Sequence, residues 1–259
     1  MNVEEMFKSI VEIKELSSFK RPLFVGPHPD DIEFGCGALI SKLKEKGADI
    51  HFLIVTDGAA GTDDPALPPY KLKEMRENEA KNAAKFLGAS TIDFIGLEDG
   101  GIYTSEDVTR LASLFILKYQ PDIIFTTDPN LRSECHNDHI KTGEGIRGCM
   151  QIIGYPEALR RHLVNIDNVK SFPRNITLAY YFSDEPNAFV EISAKNLKDK
   201  QDALMLHESQ MKDDSMKMLV GYFGYKAQMD GKKNNVPLAE VFQVIVPVCQ
   251  HVYSEGLKY

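Results

Sequence analysis

No run of the 259-residue chain approaches the roughly 18 consecutive apolar residues that cross a bilayer. Charged residues interrupt the start throughout (Glu4, Glu5, Lys8, Glu12, Lys14, Glu15), so no secretory leader is expected either. Cysteine is scarce: Cys36, Cys135, Cys149 and Cys249 are scattered without a C-x-x-C pair, which fits reduced, mostly buried thiols in a cytoplasmic protein. Positive charge is also short. Lys and Arg number 30 against 38 Asp and Glu, a net charge of -8, and that balance argues against a dedicated nucleic-acid binder. Internal repeats and low-complexity stretches are absent. What is present is 43% hydrophobic residues, ample for a core, so global disorder is excluded. At about 150 residues per domain the length allows one or two domains. No clear boundary cuts the chain, and it reads as one domain, 1–259, with a core over 20–155 and an elaborated C-terminal part over 156–259.

The core region alternates short apolar runs with helical spacing. After an amphipathic helix over Met1–Leu16, a strand is expected at Leu23–Val25, a helix from Cys36 to Lys46, a strand at Ile50–Val55 and a helix from Tyr70 to Leu87, stopped by Gly88. A strand at Ile92–Ile95, a helix from Glu106 to Tyr119, a strand at Asp122–Thr126 and a helix from about Asn137 to Ile152 follow. Strands this short and continuously apolar, separated by helices, suit a parallel sheet covered on both faces. The fold class is therefore α/β, a doubly wound, mostly parallel, Rossmann-like sheet. Beyond residue 155 the pattern blurs, with a strand at Ile176–Tyr181, a helix at Ala194–Leu206 and a last strand at Glu240–Val248. Ligands of such folds bind past the carboxyl ends of the strands, so the loops at 26–35, 56–69, 96–104 and 127–139 should converge on one crevice.

Two of those loops carry the chemistry. The first reads Gly26-Pro27-His28-Pro29-Asp30-Asp31 and the second His136-Asn137-Asp138-His139. Three of the chain's 7 histidines thus stand beside paired acids at the mouth of the expected crevice. His28 and Asp31, three apart in a proline-stiffened turn, can point at one centre, and His139 joins them from the other loop. Two imidazoles and one carboxylate suit zinc, with a fourth position open, as in catalytic sites. The competing structural reading is that Asp31 or Asn137 only caps the helix that follows.

These residues resemble the LmbE-like, PIG-L-type zinc-dependent de-N-acetylases. The likeness rests on His28-Pro29-Asp30-Asp31 with Gly35 and Gly37, on His136-x-Asp138-His139, and on Thr56-x-Gly58-x-x-Gly61, Arg76-x-x-Glu79 and Asp99-Gly100 between them. It continues weakly to His207-x-Ser209-Gln210. The resemblance implies removal of acetyl from an N-acetylglucosamine-type conjugate, a small-molecule amino-sugar substrate. One zinc would be held by His28, Asp31 and His139, with Asp30 as general base. His136 is placed to stabilise the oxyanion, and Asp138 to hold its imidazole in tautomer and favour the protonated form. Arg76, on the inner face of its helix, would reach a sugar hydroxyl or substrate acid, or else form a buried ion pair with Glu79 or another loop acid. Asp99 would bond sugar hydroxyls.

One departure bears on substrate. Where the family commonly has Glu after Thr-x-Gly, this chain has Ala59, and the segment Thr62–Pro69 adds three prolines at the crevice rim. Two rival classes stand beside the enzyme: a metal- or carbohydrate-binding protein without turnover, and a dinucleotide-binding module built on Gly35-Cys36-Gly37 with Asp57. No membrane or nucleic-acid partner is expected, and the ill-defined second half leaves room for a homo-oligomer.

Overall fold

The structure is a computed structural model that describes residue 5 and residues 10–212 and 214–251, the side chains at 215–217 excepted. One sheet carries β1 (Pro22–Gly26), β2 (His51–Thr56), β3 (Thr91–Leu97), β4 (Ile123–Thr127), β5 (Thr177–Tyr181), β6 (Ala188–Glu191) and β7 (Ala239–Ile245). Their spatial order is β3-β2-β1-β4-β5-β7-β6. The first five strands are parallel, and β7 runs antiparallel between β5 and β6. From β1 the chain steps outward to β3, then returns to the other side of β1 for β4. That reversal opens a crevice past the carboxyl ends of β1 and β4, the place where doubly wound sheets bind ligands.

The strands read as continuous apolar runs because both faces are covered. Phe24, Phe52, Ile54, Phe125 and Tyr181 point to one side, against Ile32 and Leu39 of α1 (Asp31–Glu45). Leu23, Val25, Leu53, Val55, Ile124 and Tyr180 point to the other, against α3 (Ser105–Tyr119) and α4 (Asn137–Ile152). Phe24 and Phe125 are in register on β1 and β4, and their rings stack at 4.7 Å. The pair fixes the two strands whose ends carry the histidine loops. α2 (Pro69–Leu87) ends on Gly88 in the left-handed region, as expected. α5 (Pro156–Arg161), α6 (Ala194–Leu204) and α7 (Asp214–Lys233) complete the helices among the described residues.

The expected elements of the core are present, with three differences. α1 begins at Asp31 rather than Cys36, because Asp31 and Glu33 occupy a first turn where backbone amides favour negative charge. α5, β6 and α7 were not anticipated. Of the N-terminal helix expected over Met1–Leu16, residues 1–4 and 6–9 lie outside the described residues; residues 10 and 11 are helical, residues 12–15 are not, and Leu16–Ser18 forms a 3-10 turn. The early start of α1 also removes the dinucleotide reading. Gly35 and Gly37 lie inside the helix, the first under the Tyr181 ring and the second against Lys200, so neither forms the phosphate-binding turn ahead of it. No helix among the described residues is long and apolar enough to cross a membrane, and all four cysteines are free thiols.

The crossing of α3 on α4 sets where the second histidine loop starts. A methyl group at Gly145 would stand 2.5 Å from Cβ of Val108 and 2.8 Å from the Ser105 carbonyl, so only glycine permits this approach. Gly145→Ala is expected to lower stability by about 1–3 kcal/mol through overpacking, read by urea denaturation. An unchanged midpoint would show that the two helices can part freely.

Candidate metal centre

The turn after β1 is built by its own backbone. The amide of Asp30 bonds the His28 carbonyl at 3.0 Å, and Asp30 adopts φ 150° and ψ -25°, a region that side-chain-bearing residues rarely enter. Such strain costs on the order of 1–3 kcal/mol and persists only where neighbours hold it. Here Arg76 does so. Its guanidinium, 4% exposed, donates from Nη1 to the Gly58 carbonyl (3.0 Å) and from Nη2 to the Pro29 carbonyl and to Oδ2 of Asp30 (both 3.2 Å). The partner of Arg76 is therefore Asp30. Glu79 instead accepts from the Ser209 amide and hydroxyl, at 2.7 Å each.

Asp31 turns the opposite way. Its Oδ2 accepts from the His28 amide at 2.9 Å and lies 3.1 Å from His28 Nδ1, while Oδ1 lies 3.4 Å from His139 Nε2. Neither Asp31 nor Asn137 serves as a helix cap. The other nitrogen of His28, Nε2, faces Oδ1 of Asp99 at 3.2 Å and Oδ2 of Asp138 at 3.3 Å. Asp138 is buried, accepts from the Gly100 amide at 2.8 Å, and has no partner at Oδ1. Asp99 accepts from the Ala60 amide at 3.0 Å. All four strand-end loops thus meet, as the fold class requires. Glu134, which the sequence reading passed over, joins them: Oε2 lies 3.0 Å from His139 Nδ1, and Oε1 accepts from the His136 amide at 2.8 Å. Its place two residues before His136 carries no motif signal.

His136 itself caps α4 from the exposed rim, its ring 4.6 Å from that of His28 and 5.2 Å from that of His139. The expected grip of the Asp138 carboxylate on this imidazole is not what forms. That carboxylate faces His28, and it is the Asp138 amide that donates to His136 Nδ1, at 3.4 Å. Nor is the protonated form favoured: burial and then the neighbouring charges of His28 and His139 hold His136 below its ordinary range. Arg76 and Asp99 are both turned inward. Asp99, expected against a sugar, is engaged by the Ala60 amide and His28, and Arg76 forms the alternative expected for it, an ion pair with a loop acid, its Nη atoms engaged and its Nε without a partner.

Charge at the centre is lopsided. Burial opposes a charge on His28, yet Asp138, Asp31 and Asp99 override it and push the imidazole up to about 12. Burial likewise raises Asp30, to about 6 against the pull of Arg76. Asp31 is held well below the carboxylate range, burial being outweighed by His139 and His28. So many carboxylates around one imidazole call for a cation. Two overlapping sets have their donor atoms within 4.8 Å of one another: His28, Asp31 and His139, and His28, Asp99, His136 and Asp138. In the first set Asp31 lies between the two imidazoles, Oδ2 3.1 Å from His28 Nδ1 and Oδ1 3.4 Å from His139 Nε2. Two imidazoles and a carboxylate are a donor set suited to a divalent transition ion. The residues fit a divalent ion.

Behind the turn, His207 is fully buried, 3.6 Å from Glu33 and with neither ring nitrogen hydrogen-bonded. It is packed rather than presented to the crevice. His51 bonds Thr91 on the far side of the sheet.

Residues 23–150 match the family model described as PIG-L: GlcNAc-PI de-N-acetylase. Over 97% of this chain and 95% of the relative, the sequence is 29% identical to a diacetylchitobiose deacetylase of Thermococcus kodakarensis. The solved N,N'-diacetylchitobiose deacetylase from Pyrococcus horikoshii, complexed with an inhibitor, superposes with a TM-score of 0.87 at 27% identity, covering 98% of this chain and 97% of that one. A 1D-myo-inositol 2-acetamido-2-deoxy-alpha-D-glucopyranoside deacetylase of Kineococcus radiotolerans is 35% identical over 39% of this chain and 29% of its own length.

Removing the guanidinium leaves Asp30 buried without its counter-charge. Arg76→Gln is expected to cost about 3 kcal/mol of unfolding free energy in urea, the lower end of what breaking a buried pair costs. A change under about 0.5 kcal/mol would show that Asp30 does not rely on Arg76.

Proposed function

Because the chain belongs to the PIG-L (LmbE-like) family of deacetylases, we propose that it is a zinc-dependent hydrolase that removes acetyl from an N-acetylglucosamine-type sugar. The observation that carries this reading is the division of labour in one turn. Asp31 faces His28 and His139, while its neighbour Asp30 is drawn aside by Arg76. His28, Asp31 and His139 hold the ion. When bound, it supplies a Lewis acid that brings a water's pKa toward about 7.

The chain's own groups do the rest. Arg76 occupies Oδ2 of Asp30, so Oδ1 is the atom that accepts the proton of the attacking water and returns it to the sugar nitrogen as the C–N bond breaks and acetate leaves. The Asp138 amide occupies Nδ1 of His136, which leaves the proton of the neutral imidazole on Nε2. That N–H, on the exposed rim, donates to the oxyanion as it develops. Asp138 and Glu134 act one step back. Their carboxylates lie against the outer nitrogens of His28 and His139 and fix which nitrogen of each ring stays free for the ion. Asp99 shares this orienting work at His28.

The substrate class follows from how far each likeness extends. The diacetylchitobiose deacetylases match the whole chain, including the residues that form β5 to β7, whereas the inositol-conjugate deacetylase matches part of it. A di-N-acetylated amino-sugar disaccharide is therefore the favoured substrate, and residues 156–259 belong to the same catalytic unit as the core.

Acetate release from N,N'-diacetylchitobiose, with metal content measured on the same sample, tests the reading. Asp30→Asn is expected to keep a stoichiometric ion and lose about 10²–10⁴ of turnover. His139→Ala is expected to lose the ion itself. Metal-loaded wild type that frees no acetate from any N-acetylated sugar would instead be a binding protein without turnover. Glu134→Gln is expected to weaken metal affinity about 10–100-fold by chelator competition while turnover at saturating metal stays near wild type. Equal affinity would remove Glu134 from the centre.

A further inference from the structure

The segment His207–Met211 follows α6 and folds back on itself, the amides of Gln210 and Met211 both donating to the His207 carbonyl at 2.9 Å. Its two ends are sunk into the body of the protein. His207 is fully buried beside Glu33 of α1, and Met211, 4% exposed, packs with Leu204 and Phe34. Between these anchors, Ser209 and Gln210 reach two separate pieces of the structure. The Ser209 amide donates to Oε1 of Glu79 on α2 and its hydroxyl to Oε2, so both carboxylate oxygens are held. Gln210 donates from Nε2 to the Gly61 carbonyl, in the loop after β2, at 3.1 Å.

Both contacts bear on Arg76. Glu79 stands three residues after Arg76 on α2, the spacing that puts two side chains on one helix face. Gly61 lies directly on the guanidinium: a methyl group there would stand 2.5 Å from Nη1 of Arg76 and 3.2 Å from Oε1 of Gln210. Nε of Arg76 has no partner, so the guanidinium is aimed at Asp30 by where α2 and the Gly58–Gly61 loop stand. The chain Glu79, Ser209, Gln210, Gly61 ties those two pieces together. We propose that Ser209 and Gln210 are positioning residues for the reaction, bracing Arg76, and through it Asp30, from outside the centre. The proposal rests on the reading of Asp30 as general base. What the brace supplies is a fixed place for Asp30, and a misplacement on the order of 1 Å costs up to about 100-fold in rate.

With acetate release from N,N'-diacetylchitobiose as the assay, Ser209→Ala and Gln210→Ala are each expected to lower kcat about 10–100-fold, with KM and bound metal near wild type. Arg76→Lys, which keeps the charge and loses the fork, tests the route. Ser209→Ala in that background is expected to cause little further loss, because residues that act through one another are not additive. Hydrogen exchange followed by mass spectrometry reads the brace without turnover. Ser209→Ala is expected to speed exchange at residues 27–34 and 57–62 and to leave β4 and β5 unchanged, which also shows that the variant is folded. A wild-type kcat in both alanine variants overturns the proposal, as does full additivity with Arg76→Lys or an exchange increase spread evenly over the sheet. Asp30→Asn separates the two readings. Undiminished turnover there removes the base assignment and the proposal with it, whereas a slow Asp30→Asn beside fast Ser209→Ala and Gln210→Ala removes the brace alone.

Discussion

The centre depends on the crowding of carboxylates around one imidazole. Nδ1 of His28 faces Asp31, Nε2 faces Asp99 and Asp138, and Asp30 stands behind. The acids reach this place from three strand ends, Asp30 and Asp31 after β1, Asp99 after β3 and Asp138 after β4, so the repulsion among them is built into the sheet's topology. Relaxing it by moving one loop would break the register of β1 with β4 or the Arg76 clamp. A divalent cation among His28, Asp31 and His139 would add to the balance that His28, His139 and Arg76 already give the cluster, and the donor set that could hold it is placed by the fold. The strained φ of Asp30 belongs to the same constraint. Two adjacent acids can serve two purposes only if the backbone between them turns sharply enough to send their side chains apart.

Much of the fold was legible because its signals are local. Gly88 ends α2, Pro121 precedes β4, and the strands carry the unbroken apolar runs of a sheet covered twice. Which residues meet at the centre was legible too, since the strand-end rule for doubly wound sheets brings the loops of His28 and His139 together without any knowledge of distances. Partner choice within the centre was not legible. Asp138 is two residues from His136 in sequence, which suggested a carboxylate–imidazole pair. In the helix start, however, residues two apart point to different sides, and the carboxylate reaches His28 instead. Glu134 was missed for the same reason: its contact with His139 spans a loop whose path no periodicity encodes. Arg76 was correctly read as a charge on an inner face, but a sequence does not say which of several loop acids lies over it.

α7 escaped the sequence reading for a different physical reason. Its apolar residues lie on two opposite faces, so the one-sided periodicity that marks an amphipathic helix is cancelled, and Gly221, Gly224 and Gly231 lower helix propensity further. A helix that is apolar on both sides has two surfaces to cover. One is met by Phe34, Leu204 and Met211. The other carries Met218, Tyr222, Tyr225 and Met229 exposed, so apolar residues on both sides leave no single stripe for a periodicity to find.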